Sequence, residues 1–347
     1  MLKLQRLVVA AAVTLFAVSA MASNFRAADQ IYVPNAGHIQ GGALFISDVF
    51  IANLSTDSVT ISLIFSGQVN GVAGQQQNFN DKFTLAPNER KEFVDFFANV
   101  LGLNSAFGQL IFNACKSGTD CVATQDPITG ESPNFRPISV ETRIYGIPTG
   151  STLAENPPTV GQLFAGIPWY NFASEDAPGG YSKIFITGIR NTGTSGGTFR
   201  TNIGLTNASQ FSTTSLVVKL YAGNTAPGGA PLATYQETYG PLAFKQQSLA
   251  QMFPTVPAGP TATNLYVTVE QTNTVATGDA PTGCLPKGCP AFLAYGSALD
   301  NQTGDPTTLE PQFTGQLNTL QIACIFNPAA ATCKDAKSIR RAVKPRG

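Results

Sequence analysis

Apolar residues along this chain recur at every second position. Val59, Ile61, Leu63 and Phe65 point one way, while Thr60, Ser62 and Ile64 point the other. Ile138, Val140, Thr142 and Ile144 repeat the pattern, as do Leu216, Val218 and Leu220. A period of two predicts strands with one buried face and one largely solvated face. Turn residues separate the runs at Ser66-Gly67, Asn70-Gly71, Pro87-Asn88, 224–229 and Thr303-Gly304. Short strands at this spacing predict an all-β fold of antiparallel sandwiches. Helix is sparse. Its best candidate is Asp95 to Leu101, with Asp95 as cap and Gly102 as stop. No alternation of strand and helix suggests a parallel sheet.

The strand pattern is written twice. Gly41-Gly42 opens a segment running through Ser47-Asp48-Val49-Phe50-Ile51-Ala52-Asn53-Leu54-Ser55, and Gly196-Gly197 opens one through Thr201-Asn202-Ile203-Gly204-Leu205-Thr206-Asn207-Ala208-Ser209. The offset is 154 or 155 there, and 154 again where Gly161-Gln162-Leu163 matches Gly315-Gln316-Leu317. Phe96-Phe97 matches Met252-Phe253, but Pro254 follows in the second copy and shortens its helical turn. The expected organisation is a signal peptide at 1–22, a first β-sandwich repeat at 29–168 and a linker at 169–180. A second repeat at 181–325 and a basic tail at 326–347 complete it. Asn53 and Asn207 match across the copies and are expected to fix the turn after a strand. Each also begins a glycosylation sequon, as does Asn301.

The first residues change the setting. Lys3 and Arg6 precede an apolar run from Leu7 to Val18, and Ala20-Met21-Ala22 offers a small-x-small cleavage site. A membrane span needs about 20 residues, so export with cleavage after Ala22 is expected, leaving no transmembrane segment. The destination is secreted, periplasmic or extracellular, including the cell surface. Export gives the six cysteines a meaning. They fall as Cys115/Cys121, Cys284/Cys289 and Cys324/Cys333, close pairs that read as local disulfides in an oxidising compartment. Zinc would need CxxC-like knuckles or nearby His, and neither is present.

Charge then sharpens the picture. Basic and acidic residues balance at 21 each, and only 12% of residues are charged, about half the usual share. The balance conceals an uneven distribution. Lys334, Lys337, Arg340, Arg341, Lys344 and Arg346 crowd the tail against Asp335 alone, so the rest of the exported chain is acidic. The tail is expected to be a disordered end, with contact to an anionic surface as the alternative.

Candidate chemistry is thin. One His, His38, leaves little room for His-based metal or nucleophile sites, and a place on a loop or strand edge is expected for it. Phosphate-loop, dinucleotide, zinc-protease and serine-elbow motifs are absent. A glycosidase needs only two carboxylates. Asp48, Glu89, Glu92, Glu141, Asp300 and Asp305 are available, with Asp48 and Glu141 inside expected strands. No catalytic residue is assigned, and no cofactor is expected. Asp300-Asn301-Gln302-Thr303-Gly304-Asp305 could hold Ca2+, although the same residues build a tight turn without metal, which is the expected reading. Trp169 and Tyr170 could form a stacking platform for sugar. Packing between the two repeats is the expected role.

Arg200-Thr201-Asn202-Ile203-Gly204-Leu205-Thr206-Asn207, with Phe292-Leu293-Ala294-Tyr295-Gly296-Ser297-Ala298-Leu299-Asp300-Asn301-Gln302-Thr303-Gly304-Asp305-Pro306, resembles a repeat of exported bacterial proteins. The likeness covers both copies and is sharper in the second. It implies tandem immunoglobulin-like β-sandwiches and a bacterial source, and it brings no catalytic or binding residue with it. The expected function is a non-catalytic exported binding or structural module whose partner is a protein or glycan at the cell surface; no nucleic acid is expected. The alternative is an extracellular polysaccharide-acting hydrolase using a carboxylate pair.

Overall fold

The computed structural model describes residues 27–41, 43–121, 123–124, 132–153, 159–173, 183–193, 199–225, 228–260, 262–273, 290–304 and 306–313, with Tyr170 and Phe313 described in backbone alone. The signal segment, the basic tail, Asp305 and Cys284, Cys289, Cys324 and Cys333 lie outside them. The first half contains β1 (Gln30–Gln40), β2 (Leu44–Asn53), β3 (Val59–Val69), β4 (Val72–Leu85), β5 (Arg90–Phe93), β6 (Ala106–Lys116), β7 (Ile138–Ile147), β8 (Val160–Ala165) and β9 (Ile167–Pro168). The second contains β10 (Lys183–Ile189), β11 (Phe199–Asn207), β12 (Thr214–Ala222), β13 (Ala233–Tyr239), β14 (Phe244–Ser248), β15 (Leu265–Gln271), β16 (Phe292–Asp300), β17 (Pro306–Leu309) and β18 (Gln312–Phe313).

The fold is all-β, and every strand pairing described is antiparallel. Sheet I runs β4-β3-β6-β1-β9 and sheet II runs β5-β2-β7-β8, joined where Ile39 and Gln40 of β1 leave β6 and pair with β2. Sheet III runs β14-β11-β16-β17 and sheet IV runs β13-β12-β15-β10-β18. Sheets III and IV thus repeat the order of II and I strand for strand. The irregularities match too: β1 slips against β6 between Val33 and Ala36, and β10 slips against β15 between Ile186 and Ile189. The pairs β2–β5 and β3–β6 interlock across the layers as B–E and C–F do in an immunoglobulin sandwich. However, β1 lies beside β6 and β7 beside β2, so the first and last of these strands occupy opposite layers from their immunoglobulin counterparts.

Each half has its own core. Ile31, Val33, Ile61, Leu63, Phe65, Leu110 and Phe112 of sheet I meet Val49, Ile51 and Val140 of sheet II. In the second half Ile184, Ile186, Leu216, Val218, Val267 and Val269 meet Ile203, Leu205, Phe292 and Ala294. The alternation correctly placed these strands, but a solvated outer face is not general. The first seven residues of β16 and of β1 are all buried. Their second faces are covered because the halves pack together: Ala208, Leu242 and Leu293 enter the first core. Phe244 and Tyr295 join Ile144 and Phe164 in a cluster flanked by Phe45 and Phe107.

The helical turn expected at Asp95–Leu101 is a π turn at Phe97–Leu101, closed by Gly102 in the left-handed region at φ 74°. Its counterpart is the four-residue helix Leu249–Met252, which ends before Pro254. There Ser248 and Gln251 form a reciprocal cap, each side chain accepting from the other's backbone N–H. Cys115, near the end of β6, forms a disulfide with Cys121 in the turn that follows. Among the described residues no helix is long and apolar enough to cross a membrane.

Candidate functional site

The polar side chains gather in three places. The first is the corner where β1 crosses between sheets. The backbone N–H of Gly37 donates to Ser47 Oγ at 2.8 Å, pinning the crossing. His38 then places Nδ1 2.9 and 3.0 Å from the two carboxylate oxygens of Asp95. Asp95 itself adopts a left-handed backbone, φ 44°, and turns its N–H to Asp48 Oδ1 at 3.0 Å. The Tyr145 hydroxyl donates to the same oxygen at 3.1 Å, and the Arg143 guanidinium lies 4.5 Å over the Tyr145 ring. Burial raises the Asp48 pKa against the pull of these donors and of Arg143. Burial, then the Asp48 charge, raises that of Tyr145.

Of the two strand acids singled out above, Asp48 pairs with Arg143 and Glu141 with Phe50 in the β2–β7 register. The two acids therefore stand diagonally on one face of sheet II, about 7–8 Å apart on strand geometry. Glu92 flanks Phe50 from the other side. Asp95 is the partner that the described residues give His38, and its carboxylate orients the ring. No hydroxyl or thiol nucleophile is hydrogen-bonded to it among them.

The second place lies between the edge strands β13 and β14. Lys245 Nζ donates to Glu237 Oε1 and Oε2 at 2.9 and 3.0 Å. Tyr239 donates to Oε2 at 3.0 Å, Tyr235 donates to the same oxygen, and Tyr235 also reaches Gln247 Oε1 at 2.9 Å. Burial opposes the Glu237 charge, yet Lys245 and the two phenols hold its pKa below the ordinary glutamate value. In the first half the same gap between β4 and β5 is closed by rings, Phe83 packing on Phe93 and Phe96 at 4.7 and 6.3 Å. The polar cluster is thus a second way of sealing an open sandwich edge.

The third place is the seam between the halves. Tyr32 donates to the Ala208 carbonyl at 2.8 Å. Gln109, fully buried, donates to the Leu242 carbonyl at 2.8 Å and accepts from Thr206 Oγ1 at 3.0 Å. Leu242 presents that carbonyl from a left-handed backbone, φ 56°, a costly conformation for a branched side chain. Ser297 donates to Gln162 at 3.1 Å and Thr308 to the Leu163 carbonyl at 2.8 Å.

Of the residues offered as a candidate ligand surface, Trp169 and Asp300 are described, while the Tyr170 side chain and Asp305 lie outside the described residues. Trp169 is fully buried, packs in the first core and donates its indole N–H to Asp29 at 2.7 Å, so it offers no face to a sugar. Ala173, four residues on, pairs with Phe292; this part of the expected linker is packed against the second half. Asp300 accepts from the Gln302 N–H at 2.8 Å and its carbonyl accepts from Gly304 at 2.8 Å, which is a turn. Among the described residues no group of three or more His, Cys, Asp or Glu side chains could hold a metal ion. Glu89 accepts from the Ala86 N–H at 2.7 Å. Asn53 and Asn207 do fix their turns: each donates to two or more backbone carbonyls and accepts from the N–H two residues on. The hydrogen-bonding roles of Asp95, Tyr145, Gln109 and Glu237 were missed, since none of these side chains carries a sequence mark of its partner.

No protein-family profile and no curated protein matches the chain. Among solved structures, a calcium binding mutant of Bacteroides uniformis beta-glucuronidase 2 aligns with 77% of this chain and 24% of its own, at 11% identity and TM-score 0.14. The BSP domain of a biofilm associated protein aligns with 84% of this chain and 59% of its own, at 11% identity and TM-score 0.18. The chain therefore spans less than two thirds of either. At TM-scores this low neither likeness bears on fold or activity.

Proposed function

We propose that this chain is an exported, non-catalytic binding or structural module of the cell surface or extracellular space, built from two tandem copies of one β-sandwich. One observation carries the reading: the halves share a strand order and pack together over β1 and β16, strands buried along most of both faces. Such a body presents the outer faces of sheets II and IV at a fixed separation, which suits a spacer or a presenter of surfaces for a protein or glycan. The Cys115–Cys121 disulfide supports an oxidising compartment. A second reading, a polysaccharide hydrolase, draws on the diagonal placement of Asp48 and Glu141 on one face of sheet II.

The two readings part in one experiment. Purified chain from Ser23 onward is applied to a glycan array and, in parallel, to chromogenic glycosides. Binding without turnover is the expected result. Turnover abolished by Asp48→Asn or Glu141→Gln would overturn the non-catalytic reading and establish the hydrolase.

A further inference from the structure

The seam joins unlike surfaces: the outer face of sheet I, flanked by Ile144, Gln162 and Phe164 of sheet II, meets the outer face of sheet III. A junction of unlike surfaces can in principle repeat without closing, giving an open filament. Each half carries a counterpart of both outer faces, so each molecule retains one unused copy of each, the outer face of sheet II in the first half and that of sheet IV in the second. What occupies those counterpart positions decides whether a second molecule can add.

The register identifies the counterparts. Gly204 pairs with Tyr295 and Gln246, and Phe50 with Glu141 and Glu92. Asn202 pairs with Ser297 and Asp48 with Arg143; Thr206 pairs with Phe244 and Ala52 with Arg90. The seam residues Phe244, Gln246, Tyr295 and Ser297, all uncharged, thus correspond on sheet II to Arg90, Glu92, Glu141 and Arg143. The other face behaves alike. Gln30 pairs with Asn113 and Ile64 with Ile111 on sheet I, whereas Lys183 pairs with Glu270 and Lys219 with Thr268 at the same places on sheet IV. There Glu270 bridges Lys183 at 2.9 Å and Lys219 at 3.0 Å. Every charge named lies on an unused face, and none of its seam counterparts is charged.

We propose that these seven charged residues prevent the chain from stacking end to end on a second copy through the junction that joins its own halves. Docking would strip water from the Lys183–Glu270–Lys219 bridge and from four charges on sheet II without supplying partners, a cost that good packing does not offset. The same device is seen where terminal repeats of a stacked array carry a polar outer face. The inference rests on the two-copy reading above.

The test exchanges residues between counterparts in the full exported chain. One variant carries Lys183→Gln, Lys219→Ile and Glu270→Asn; the other carries Arg90→Phe, Glu92→Gln, Glu141→Tyr and Arg143→Ser, with Phe50→Gly so that the introduced tyrosine faces bare backbone, as Tyr295 does at Gly204. Wild type and each variant alone should sediment as monomers, and an equimolar mixture should sediment at twice the monomer mass. A mixture that stays monomeric while both variants keep the wild-type circular dichroism spectrum and melting temperature would overturn the proposal, as would stacking of the wild type itself. A milder pair, Lys219→Ile in one variant and Phe50→Gly with Glu141→Tyr in the other, gives the same readout should the fuller sets unfold. Failure of the two-copy reading shows separately, as loss of the native spectrum in both the full and the mild exchanges, because residues moved between positions that are not equivalent would not be accommodated.

Discussion

Asp48 shows how a strand acid can be tied into the local structure. It was one of two available acids inside expected strands; it is buried, and its Oδ1 receives the Asp95 N–H and the Tyr145 O–H. Burial raises its pKa, so the folded carboxyl keeps its proton to a higher pH than the unfolded one. The sign follows from linkage: stability from this group is complete below the unfolded value and falls as pH rises through the folded one. Asparagine retains an Oδ1 that can accept both bonds and never ionises, and Asn202 occupies the matching position in the second half. Asp48→Asn should therefore equal wild type at acid pH and exceed it at neutral pH, read as urea midpoints across pH. A lower midpoint at neutral pH would mean the charge itself is required. Asn53 and Asn207, by contrast, were legible, because the same side chain stood before the same turn twice. Trp169 was expected to pack and does so, fully buried in the cluster that Ala208, Leu242 and Leu293 of the second half also enter.

At the level of elements, period two located the strands, and the Pro254 stop was visible in advance. The capping box was equally readable, since Ser248 and Gln251 stand three apart before an apolar pair. What alternation did not reveal was double burial. Phe292-Leu293-Ala294-Tyr295-Gly296 is apolar without a period, the pattern of a strand covered on both faces, but a single sequence does not say what covers it. The answer is partly glycine. Gly204 stands opposite Tyr295, and a Cβ there would run into the Tyr295 ring. The bare backbone lets that ring lie across β11 and pack edge-on to Phe164, centroids 5.3 Å apart. Gly204→Ala should push the ring out of the seam and cost about 1–3 kcal/mol as an overpacking change. Gly240→Ala, where the added methyl meets nothing within 4 Å, should leave the urea midpoint within experimental error. Equal effects at the two sites would remove the steric argument.

For the whole molecule, the question is whether the seam makes two sandwiches into one cooperative unit. Interfaces between domains of one chain are often polar and permit relative motion. This one mixes an apolar centre with buried hydrogen bonds that neither half satisfies alone. Gln109 is the clearest case, because its amide answers the Leu242 carbonyl and the Thr206 hydroxyl together. Separating the halves would strand three buried polar groups, each costing about 1–3 kcal/mol if water did not reach it. The single tryptophan reports on this directly, since Trp169 packs in the first core while Thr206 belongs to the second half. Thr206→Val removes the hydroxyl, keeps the shape and leaves Gln109 Oε1 without its donor, a loss of about 1–3 kcal/mol. If the halves unfold together, the Trp169 fluorescence midpoint in urea should fall in step with the far-ultraviolet circular dichroism midpoint, with the m-value unchanged. A Trp169 transition that stays at its wild-type midpoint while the circular dichroism curve splits would show two independent sandwiches, joined by chain and not by the seam. The same measurement bears on the export proposal, because a spacer that holds two outer faces at a fixed distance needs the seam to survive as long as either core does.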